Sequence, residues 1–417
     1  MSNSSTRSSR FLLRSRKKGP GLKKPRPLSK AFNRAYKIVD YAAGQSPRKI
    51  RFDECLECFR YRGRKDRVPK LPEGRASPRK MPGIRGGDFM NPEIAQLTEE
   101  ARRQAAIVSG VRNEMKKVIV GQEETIDRLL LALCADGHVL LEGVPGIAKT
   151  LMIRTLSRTL DCSFVRLQFT PDLLPADITG TRIFSQAGSG FSTVRGPVFV
   201  NFVLADEINR APPKVQSALL EAMQEKQVTI QGETHLLPSP FFVLATQNPI
   251  ESEGTYPLPE AQVDRFMFKV LMGYPSKEEE VAILDRFTEG ADHEVTTVAG
   301  IAEILEVQAF TRKIYTDPVI KQYVAGLVDA TRHPGSYGID TAHFIAFGAS
   351  PRASISLVMG AKAHALASGR GYVIPEDVTA VAHDVLRHRI LLTYEGEAER
   401  VTPDSIIDRI LSTVKVP

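Results

Sequence analysis

The sequence predicts an α/β fold with a parallel central sheet, followed by a small all-α domain. Three short apolar runs, 138–142, 201–205 and 241–245, each end in polar or glycine-rich residues and are separated by segments with helical periodicity. Buried parallel strands connected by helices produce this alternation. From Lys277 onward the apolar positions recur only at helical spacing. We therefore expect an α/β domain over residues 90–288 and a helical domain over 289–417.

The overall composition is that of a globular protein. The chain has 417 residues, of which 42% are hydrophobic and 25% charged, and this length has room for two or three domains. No apolar run approaches the ~20 residues that span a bilayer, and the apolar triplet at 11–13 is too short for a secretory signal. Cys55 and Cys58 form a lone C-x-x-C, with no histidine before His138 to complete a zinc site. We expect a cytoplasmic protein with no membrane span and no structural zinc.

The positive charge is concentrated in the N-terminal segment. Residues 1–89 carry 25 Lys and Arg against 7 Asp and Glu, a net charge of +18, whereas the remaining residues have a net charge of −10. This segment is rich in Ser, Pro and Gly and has little apolar periodicity, so we expect it to be disordered. One interpretation is a tail that binds nucleic acid or an acidic membrane surface. The alternatives are a charged solvated extension, or a start codon chosen too early for a protein that begins at Met90, and we favour these alternatives.

Two helices precede the first strand. Apolar positions recur at helical spacing over 94–115 and 123–135, and a compact apolar turn separates the two segments. The turn contains Val120 and Gly121.

The first strand leads into a glycine-rich turn and then a helix. Backbone N–H groups of such a turn, together with the positive end of the helix, bind phosphate groups. The pattern G-x-x-x-x-G-K-[ST] is matched except at Ala148, where it has glycine. We expect Lys149 to contact the β- and γ-phosphates of ATP and Thr150 to place its hydroxyl on Mg²⁺. The candidate cradle comprises Gly143, Val144, Pro145, Gly146, Ile147, Ala148, Lys149 and Thr150.

The turn at Val120 and Gly121 lies ahead of the strand that leads into the phosphate loop. It is well placed to hold an adenine ring, and a plain connection between helices is the alternative.

The segment after the phosphate loop predicts a helix over 150–159 and a strand over 163–169. Residues 170–180 form a polar, proline-rich stretch, which we interpret as an insertion near the site. Residues 191–194 and 198–201 flank a Gly-Pro turn, and we expect them to pair as a hairpin.

Two adjacent carboxylates, Asp206 and Glu207, end the apolar run that begins at Asn201. Ligands of parallel α/β sheets bind at the carboxyl ends of the strands. We expect Asp206 to hold Mg²⁺ through its water shell and Glu207 to polarise the water that attacks the γ-phosphate. Two surface acids at a strand end are the alternative, but their position about 60 residues after a phosphate loop argues against it.

Asn248 ends the third apolar run at the same predicted edge, where it would orient the attacking water or contact the γ-phosphate. A turn-forming role is the alternative. Between the second and third runs lie a helix over 212–225 and a segment, 227–237, whose alternation around Gln-Gly-Glu predicts a hairpin. This hairpin is a candidate element for moving substrate.

The last two candidate site residues are arginines. Arg265 comes after a short helix, and an arginine supplied by another subunit can stabilise charge on a transferred phosphoryl group. Its alternative is a simple ion pair with Asp264. Arg352 lies at the start of a helix capped by Ser350, where a cation is locally unfavourable and indicates an anionic partner such as ATP. The predicted helices of this part of the chain are 277–287, 301–315, 317–331, 351–368, 375–390 and 402–414.

Taken together, these motifs resemble the MoxR family of AAA+ ATPases. The motifs are Val-Pro-Gly-Ile-Ala-Lys-Thr, Ala-Asp-Glu-Ile-Asn-Arg-Ala-Pro-Pro-Lys, Ala-Thr-Gln-Asn-Pro, Leu-Pro-Glu-Ala-Gln-Val-Asp-Arg-Phe and Ala-Ser-Pro-Arg, in this order over about 91–416. In that family alanine takes the place of the last loop glycine. The resemblance implies these roles: Lys149 and Thr150 in Walker A, Asp206 and Glu207 in Walker B, Asn248 as sensor 1, Arg265 as the arginine finger and Arg352 as sensor 2.

The resemblance also implies an architecture and a biological role. It implies an AAA+ P-loop nucleotide-binding domain with a parallel central sheet, a small all-α lid domain, and a homo-hexameric ring with ATP and Mg²⁺ at subunit interfaces. Such proteins are chaperone-like and remodel or mature protein clients, often with partners that contain a von Willebrand factor A domain. Residues 1–89 have no counterpart in the usual family pattern.

Two other functions remain open from the sequence. One is a nucleic-acid translocase in which the 227–237 hairpin and the basic tail grip the strand; otherwise we expect nucleic-acid binding only through the basic N-terminal segment. The other is an ATP-gated scaffold without hydrolysis, which is disfavoured because every catalytic position is filled.

Overall fold

The computed structural model describes residues 92–144, 146–185, 190–248, 254–288 and 294–417. All of these belong to one compact unit of the chain. The predicted disorder of residues 1–89, the Cys55–Cys58 pair and Pro145 lie outside the described residues. Among the helices that are described, none is long and apolar enough to cross a membrane.

A five-stranded parallel sheet forms the centre of the α/β domain and confirms the predicted fold class. Its spatial order is β2-β5-β8-β1-β9, and every neighbouring pair is parallel. The strands are β1 (Val139–Gly143), β2 (Phe164–Gln168), β5 (Phe202–Asp206), β8 (Phe242–Gln247) and β9 (Phe268–Met272). Because β5, β8 and β1 are adjacent, the residues that follow them meet at one edge of the sheet.

The two faces of the sheet are buried in different apolar clusters. Alternate residues of a strand point to opposite faces, so Val139 and Leu141 join one cluster and Leu140 joins the other. The first cluster includes residues of helices α1, α2 and α3, and the second includes residues of α4 and α5. The helices of this domain are α1 (Pro92–Val118), α2 (Glu123–Cys134), α3 (Lys149–Thr159), α4 (Pro175–Thr179), α5 (Pro213–Glu225) and α6 (Glu260–Val263).

Two antiparallel hairpins project from the α/β domain. One pairs β6 (Gln227–Ile230) with β7 (Glu233–Leu236), as expected from the sequence. The other pairs β3 (Gly180–Ser185) with β4 (Gly190–Arg195).

The predicted pairing of 191–194 with 198–201 is wrong. Val198 is fully buried, and its N–H donates to the carbonyl of Ile178 rather than to a strand partner. The true partner strand begins at Gly180, whose φ of +98° and close approach to β4 leave no room for a side chain. A Cβ at that position would lie 2.2 Å from the carbonyl oxygen of Val194.

The C-terminal part of the chain is helical, as predicted. It also contains elements that were not predicted: the short helix Tyr394–Ala398, two 3₁₀ helices, Pro334–Tyr337 and Asp340–Phe344, and a β ladder. A short antiparallel ladder pairs β10 (Ile345–Phe347) with β11 (Leu391–Leu392). The sequence analysis did not predict it because strands of three and two residues are too short to show a period of two. The helices are α7 (Lys277–Thr288), α8 (Ile301–Lys313), α9 (Pro318–Arg332), α10 (Pro351–Ala367), α11 (Pro375–Leu386), α12 (Tyr394–Ala398) and α13 (Pro403–Thr413).

His138 connects the start of β1 to two neighbouring elements. Its Nε2 bonds to the carbonyl of Met223 at 3.2 Å, and its Nδ1 accepts the N–H of Val243 at 3.1 Å. This arrangement requires the neutral ring protonated on Nε2. Burial lowers the pKa of His138 from 6.5 to about 4.

We expect His138 to make folding stability depend on pH. Between pH 6.5 and about 4 the unfolded chain binds a proton at this residue that the folded chain does not. The contribution of His138 to the free energy of unfolding therefore falls by about 3 kcal/mol as the pH falls through this window. Urea denaturation of wild type and His138→Gln at several pH values measures the difference in slope. Burial also lowers the pKa of His388, so part of the slope remains in the variant. Parallel curves for the two proteins would contradict the assignment to His138.

Candidate nucleotide-binding site

The phosphate loop, both carboxylates and Asn248 line one cavity at the carboxyl edge of the sheet. Its volume is about 380 Å³. The loop follows β1, the carboxylates end β5, and Asn248 follows β8, so the order of these three strands brings the motifs together. The convergence expected from the sequence is therefore present in the structure.

The backbone of the phosphate loop is shaped by two residues with positive φ. Gly146 has φ +85° and Ala148 has φ +57°, directly before the helix that begins at Lys149. Positive φ is ordinary for glycine and uncommon for alanine. This explains why the generic pattern has glycine at the position of Ala148, and why alanine is tolerated there at some conformational cost.

Lys149 lies inside this loop, next to the sheet edge. Its Nζ donates to the carbonyl of Gly143 at 2.5 Å. Burial lowers the pKa of Lys149, and the nearby carboxylates of Asp206, Glu207 and Glu142 oppose that shift. A half-buried ammonium at the mouth of a loop of N–H groups is suited to a phosphate group.

Asp206 is held by protein groups on both of its oxygens. Oδ1 accepts the hydroxyl of Thr246 at 2.6 Å, and Oδ2 accepts Nη2 and Nε of Arg166 at 2.6 and 3.0 Å. The same Thr246 oxygen accepts the backbone N–H of Glu207 at 2.9 Å. Thr246 is almost fully buried, so it sets the direction of both carboxylate-bearing residues.

Glu207 has a left-handed backbone, with φ +56°, at the junction of β5 and a 3₁₀ turn. Its Oε2 accepts Nε2 of Gln168 at 2.8 Å and lies 3.2 Å from Nε of Arg210. A positive φ in a non-glycine residue at a ligand cavity is typical of functional sites.

Asn248 and the turn at Val120 and Gly121 also lie near the loop. Asn248 is 8% exposed and lines the cavity. Gly121 has φ +65°, and the next residue, Gln122, donates to the carbonyl of Gly273 at 3.1 Å, one residue beyond β9. The turn therefore stands at the carboxyl end of β9, the strand that borders β1. The roles of these residues toward water and adenine stay predictions.

Arg265 and Arg352 lie in a second cavity, of about 290 Å³. Arg265 donates to the carbonyl of Leu220 at 2.8 Å, and Arg352 lies 3.5 Å from Oδ2 of Asp264 and 3.3 Å from Oε1 of Gln224. The lining also includes His138, which directly precedes β1. This cavity is therefore at the amino-terminal edge of the sheet, opposite the phosphate loop.

The length of β1 separates the two cavities. Five residues of a strand extend about 16 Å. Neither arginine is placed to contact phosphates bound in the loop of its own chain.

Four polar residues of the site had no role predicted from the sequence. Arg166 and Gln168 lie on β2, and Thr246 and Arg210 lie within two of the quoted motifs. Arg166 and Gln168 are two apart on a strand and so share one face. Polar residues in alternation at the end of an otherwise apolar strand were the available signal.

Comparison with known proteins identifies the family. A model described as ATPase family associated with various cellular activities (AAA) matches residues 138–268, and an AAA lid domain model matches residues 339–410. The chain is 51% identical over 305 residues to Chaperone MoxR1 of Mycobacterium tuberculosis, covering 73% of this chain and 81% of that protein. It is 32% identical over 349 residues to Protein MoxR of Methylorubrum extorquens, covering 79% and 99%.

A solved structure of a similar protein agrees with this relationship. A putative ATPase from Cytophaga hutchinsonii superimposes with a TM-score of 0.73 at 49% sequence identity, covering 78% of this chain and 99% of that one. Together with the matching sequence models, these similarities show that the chain belongs to the MoxR family of AAA+ ATPases.

Proposed function

We propose that the protein is a Mg²⁺-dependent ATP hydrolase that works in an oligomeric ring to remodel or mature protein clients. The observation that carries the proposal is the division of the site. The phosphate loop, two carboxylates and Asn248 share one cavity, while Arg265 and Arg352 face another at the opposite edge of the sheet. A head-to-tail contact between copies would join the two half-sites.

The residues of the first half-site fit Mg²⁺ and ATP. The loop N–H groups and Lys149 would hold the phosphates, and Thr150 and Asp206 would hold the metal ion. Bound Mg²⁺ supplies charge neutralisation at the phosphate oxygens. Glu207 is the base that takes a proton from water, and Asn248 orients that water. The left-handed backbone of Glu207 turns its side chain away from the strand and toward the cavity.

The second half-site would act on the phosphates of the next subunit. Arg265 and Arg352 are both cations at a cavity that contains no phosphate loop of its own. An arginine inserted from a neighbouring subunit stabilises the charge of the transition state only when the ring is assembled. We therefore assign Arg265 as the finger and Arg352 as a second phosphate contact, both acting in trans.

An exposed apolar face of α7 supports assembly. Val281, Leu284 and Phe287 are 50%, 60% and 60% exposed on this helix. Glu279, at the start of the helix, packs against Gly121. Exposed apolar side chains clustered in this way mark protein contact surfaces. We propose that the neighbouring copy covers them.

We expect ATP turnover per subunit to rise with protein concentration and then reach a plateau. Leu284→Asp should move the midpoint to at least about tenfold higher concentration, because burying an unpaired carboxylate in the contact is costly. Val319→Asp makes the same kind of change at an exposed apolar residue of a different helix, α9, so it is the matched control and should leave the midpoint in place. Turnover that is independent of concentration in the wild type would rule out a site shared between subunits.

The same assay on a chain that starts at Met90 tests whether residues 1–89 are needed for turnover.

The surface of the two hairpins favours protein clients over nucleic acid. Phe184 and Phe191 are 58% and 64% exposed, and their rings meet edge to face at 5.4 Å. Arg182 on this hairpin is paired with Glu233 at 3.3 Å, at the turn end of the second hairpin. The hairpins thus present aromatic surface, and Arg182 is neutralised by its ion pair with Glu233. This surface suits an apolar polypeptide segment better than a phosphate backbone.

Two further parts of the proposal rest on the family. The protein would act with a partner that contains a von Willebrand factor A domain. The domain division at 90–288 and 289–417 also stays part of the proposal.

A further inference from the structure

Arg166 stands at the centre of the candidate site, and neither the motifs nor the comparisons assign it a role. It lies on β2, next to the strand that carries the two carboxylates, and it lines the phosphate-loop cavity. Its guanidinium makes two bonds to one oxygen of Asp206, at 2.6 and 3.0 Å. Its side chain is 49% exposed, whereas that of Asp206 is 14% exposed. The arginine is thus the mobile partner of this pair.

Arg166 places its positive charge next to Asp206, the carboxylate proposed to hold the water shell of Mg²⁺. Oδ1 of Asp206 accepts the hydroxyl of Thr246, and Oδ2 accepts both N–H bonds from Arg166. A carboxylate oxygen that accepts two N–H bonds has little capacity left for the water shell of a metal ion. A guanidinium and Mg²⁺ at this distance would also repel each other. Arg166 must therefore leave Asp206 for the metal ion to bind there.

The same guanidinium is connected to the catalytic carboxylate. Nη2 of Arg166 also donates to Oε1 of Gln168 at 3.0 Å, and Nε2 of that glutamine donates to Oε2 of Glu207 at 2.8 Å. Asp206, Arg166, Gln168 and Glu207 therefore form one continuous chain of hydrogen bonds. A departure of Arg166 removes the bond that orients the Gln168 amide toward Glu207.

We propose that Arg166 is a substrate-contacting residue, whose guanidinium exchanges Asp206 for the phosphate oxygens of ATP when Mg²⁺ binds. The incoming phosphate is the anionic partner available in the same cavity, and a guanidinium pairs well with phosphate oxygens. The site then becomes competent only when metal and nucleotide are both present. This inference rests on the proposed ATP hydrolase function.

The test is the free Mg²⁺ concentration that half-saturates the metal site of the nucleotide-free full chain, measured by displacement of paramagnetic Mn²⁺. Binding of a fluorescent, non-hydrolysable ATP analogue is titrated separately against Mg²⁺. Arg166→Gln removes the competing cation, so the half-maximal Mg²⁺ concentration should fall by about two- to fivefold, the range expected for a partly exposed ion pair. Arg166→Lys keeps the charge but loses the two-point contact, so its value should lie between those of Arg166→Gln and wild type. Arg154→Gln removes an exposed arginine from the helix after the phosphate loop and should change nothing.

Turnover gives the second readout. Arg166→Gln should bind Mg²⁺ more readily and yet hydrolyse ATP at least about tenfold more slowly, because the phosphate contact is lost. A merely structural arginine would do the opposite to binding, since a loosened Asp206 would need more Mg²⁺. A raised or unchanged Mg²⁺ requirement in Arg166→Gln therefore overturns the exchange. Wild type that fails to bind the analogue at any Mg²⁺ concentration would instead overturn the proposed function.

Discussion

Glu207→Gln is expected to lower ATP turnover by about 10²- to 10⁴-fold, the range that general-base catalysis supplies, and to leave ATP binding nearly unchanged. The amide has the shape of the carboxylate and keeps an oxygen within reach of Gln168, which now donates to Glu207 at 2.8 Å. What it loses is the ability to take a proton from water. Phosphates and metal ion are held by other residues, so the two effects should separate.

Single-turnover hydrolysis and equilibrium binding of ATP, measured on the same preparation, test this separation. Glu221→Gln is the matched control, because it removes an exposed carboxylate from α5 and should alter neither quantity. Unchanged turnover in Glu207→Gln would remove Glu207 from the proposed chemistry. Loss of binding together with turnover would assign it to holding the nucleotide instead.

Arg265→Ala is expected to lower turnover by about 10³- to 10⁵-fold, as for an arginine that inserts into a neighbouring phosphate site. Its position at the amino-terminal edge of the sheet, in the cavity shared with Arg352, makes this loss a property of the assembled ring. The variant keeps its own phosphate loop, Asp206 and Glu207. It should therefore bind ATP and assemble, and hydrolyse very slowly.

Mixing two inactive variants gives the sharpest test of action in trans. An Arg265→Ala subunit has a complete phosphate site, and a Glu207→Gln neighbour has a complete arginine. In a random one-to-one ring about one interface in four combines these halves, so a corresponding part of the turnover should return. A mixture of Glu207→Gln with a chain that carries both substitutions should stay inactive. If the first mixture is inactive too, the two residues act within one chain, and the divided site is wrong.

Much of the fold was predictable because its signals are local. Buried parallel strands are short apolar runs, and the loop that binds phosphate is a contiguous stretch with special backbone needs at Gly146 and Ala148. Four of the five central strands, the 227–237 hairpin and most helices after Lys277 follow from patterns that lie within a dozen residues of one another. The strand Phe268–Met272 was not predicted.

Pairings between distant segments were not predictable in this way. The hairpin partner of 191–194 was misassigned because several short segments had suitable alternation. The true partner strand begins at Gly180, where the backbone of β4 comes so close that there is no space for a Cβ. The short ladder of β10 and β11 joins strands more than 40 residues apart and has too few residues to show a period.

The same distinction between local signals and contacts of distant segments applies to the candidate site. The sequence by itself determined the candidate site, because Lys149, Thr150, Asp206, Glu207 and Asn248 lie at or just after the ends of strands that meet at one edge. Only the tertiary structure decided what each of them contacts. It placed Arg166 on Asp206 and Gln168 on Glu207, and it placed Arg265 and Arg352 at the far edge of the sheet. The physical reason is that the order of strands and the packing of the helices against them are set by contacts between segments far apart in the chain.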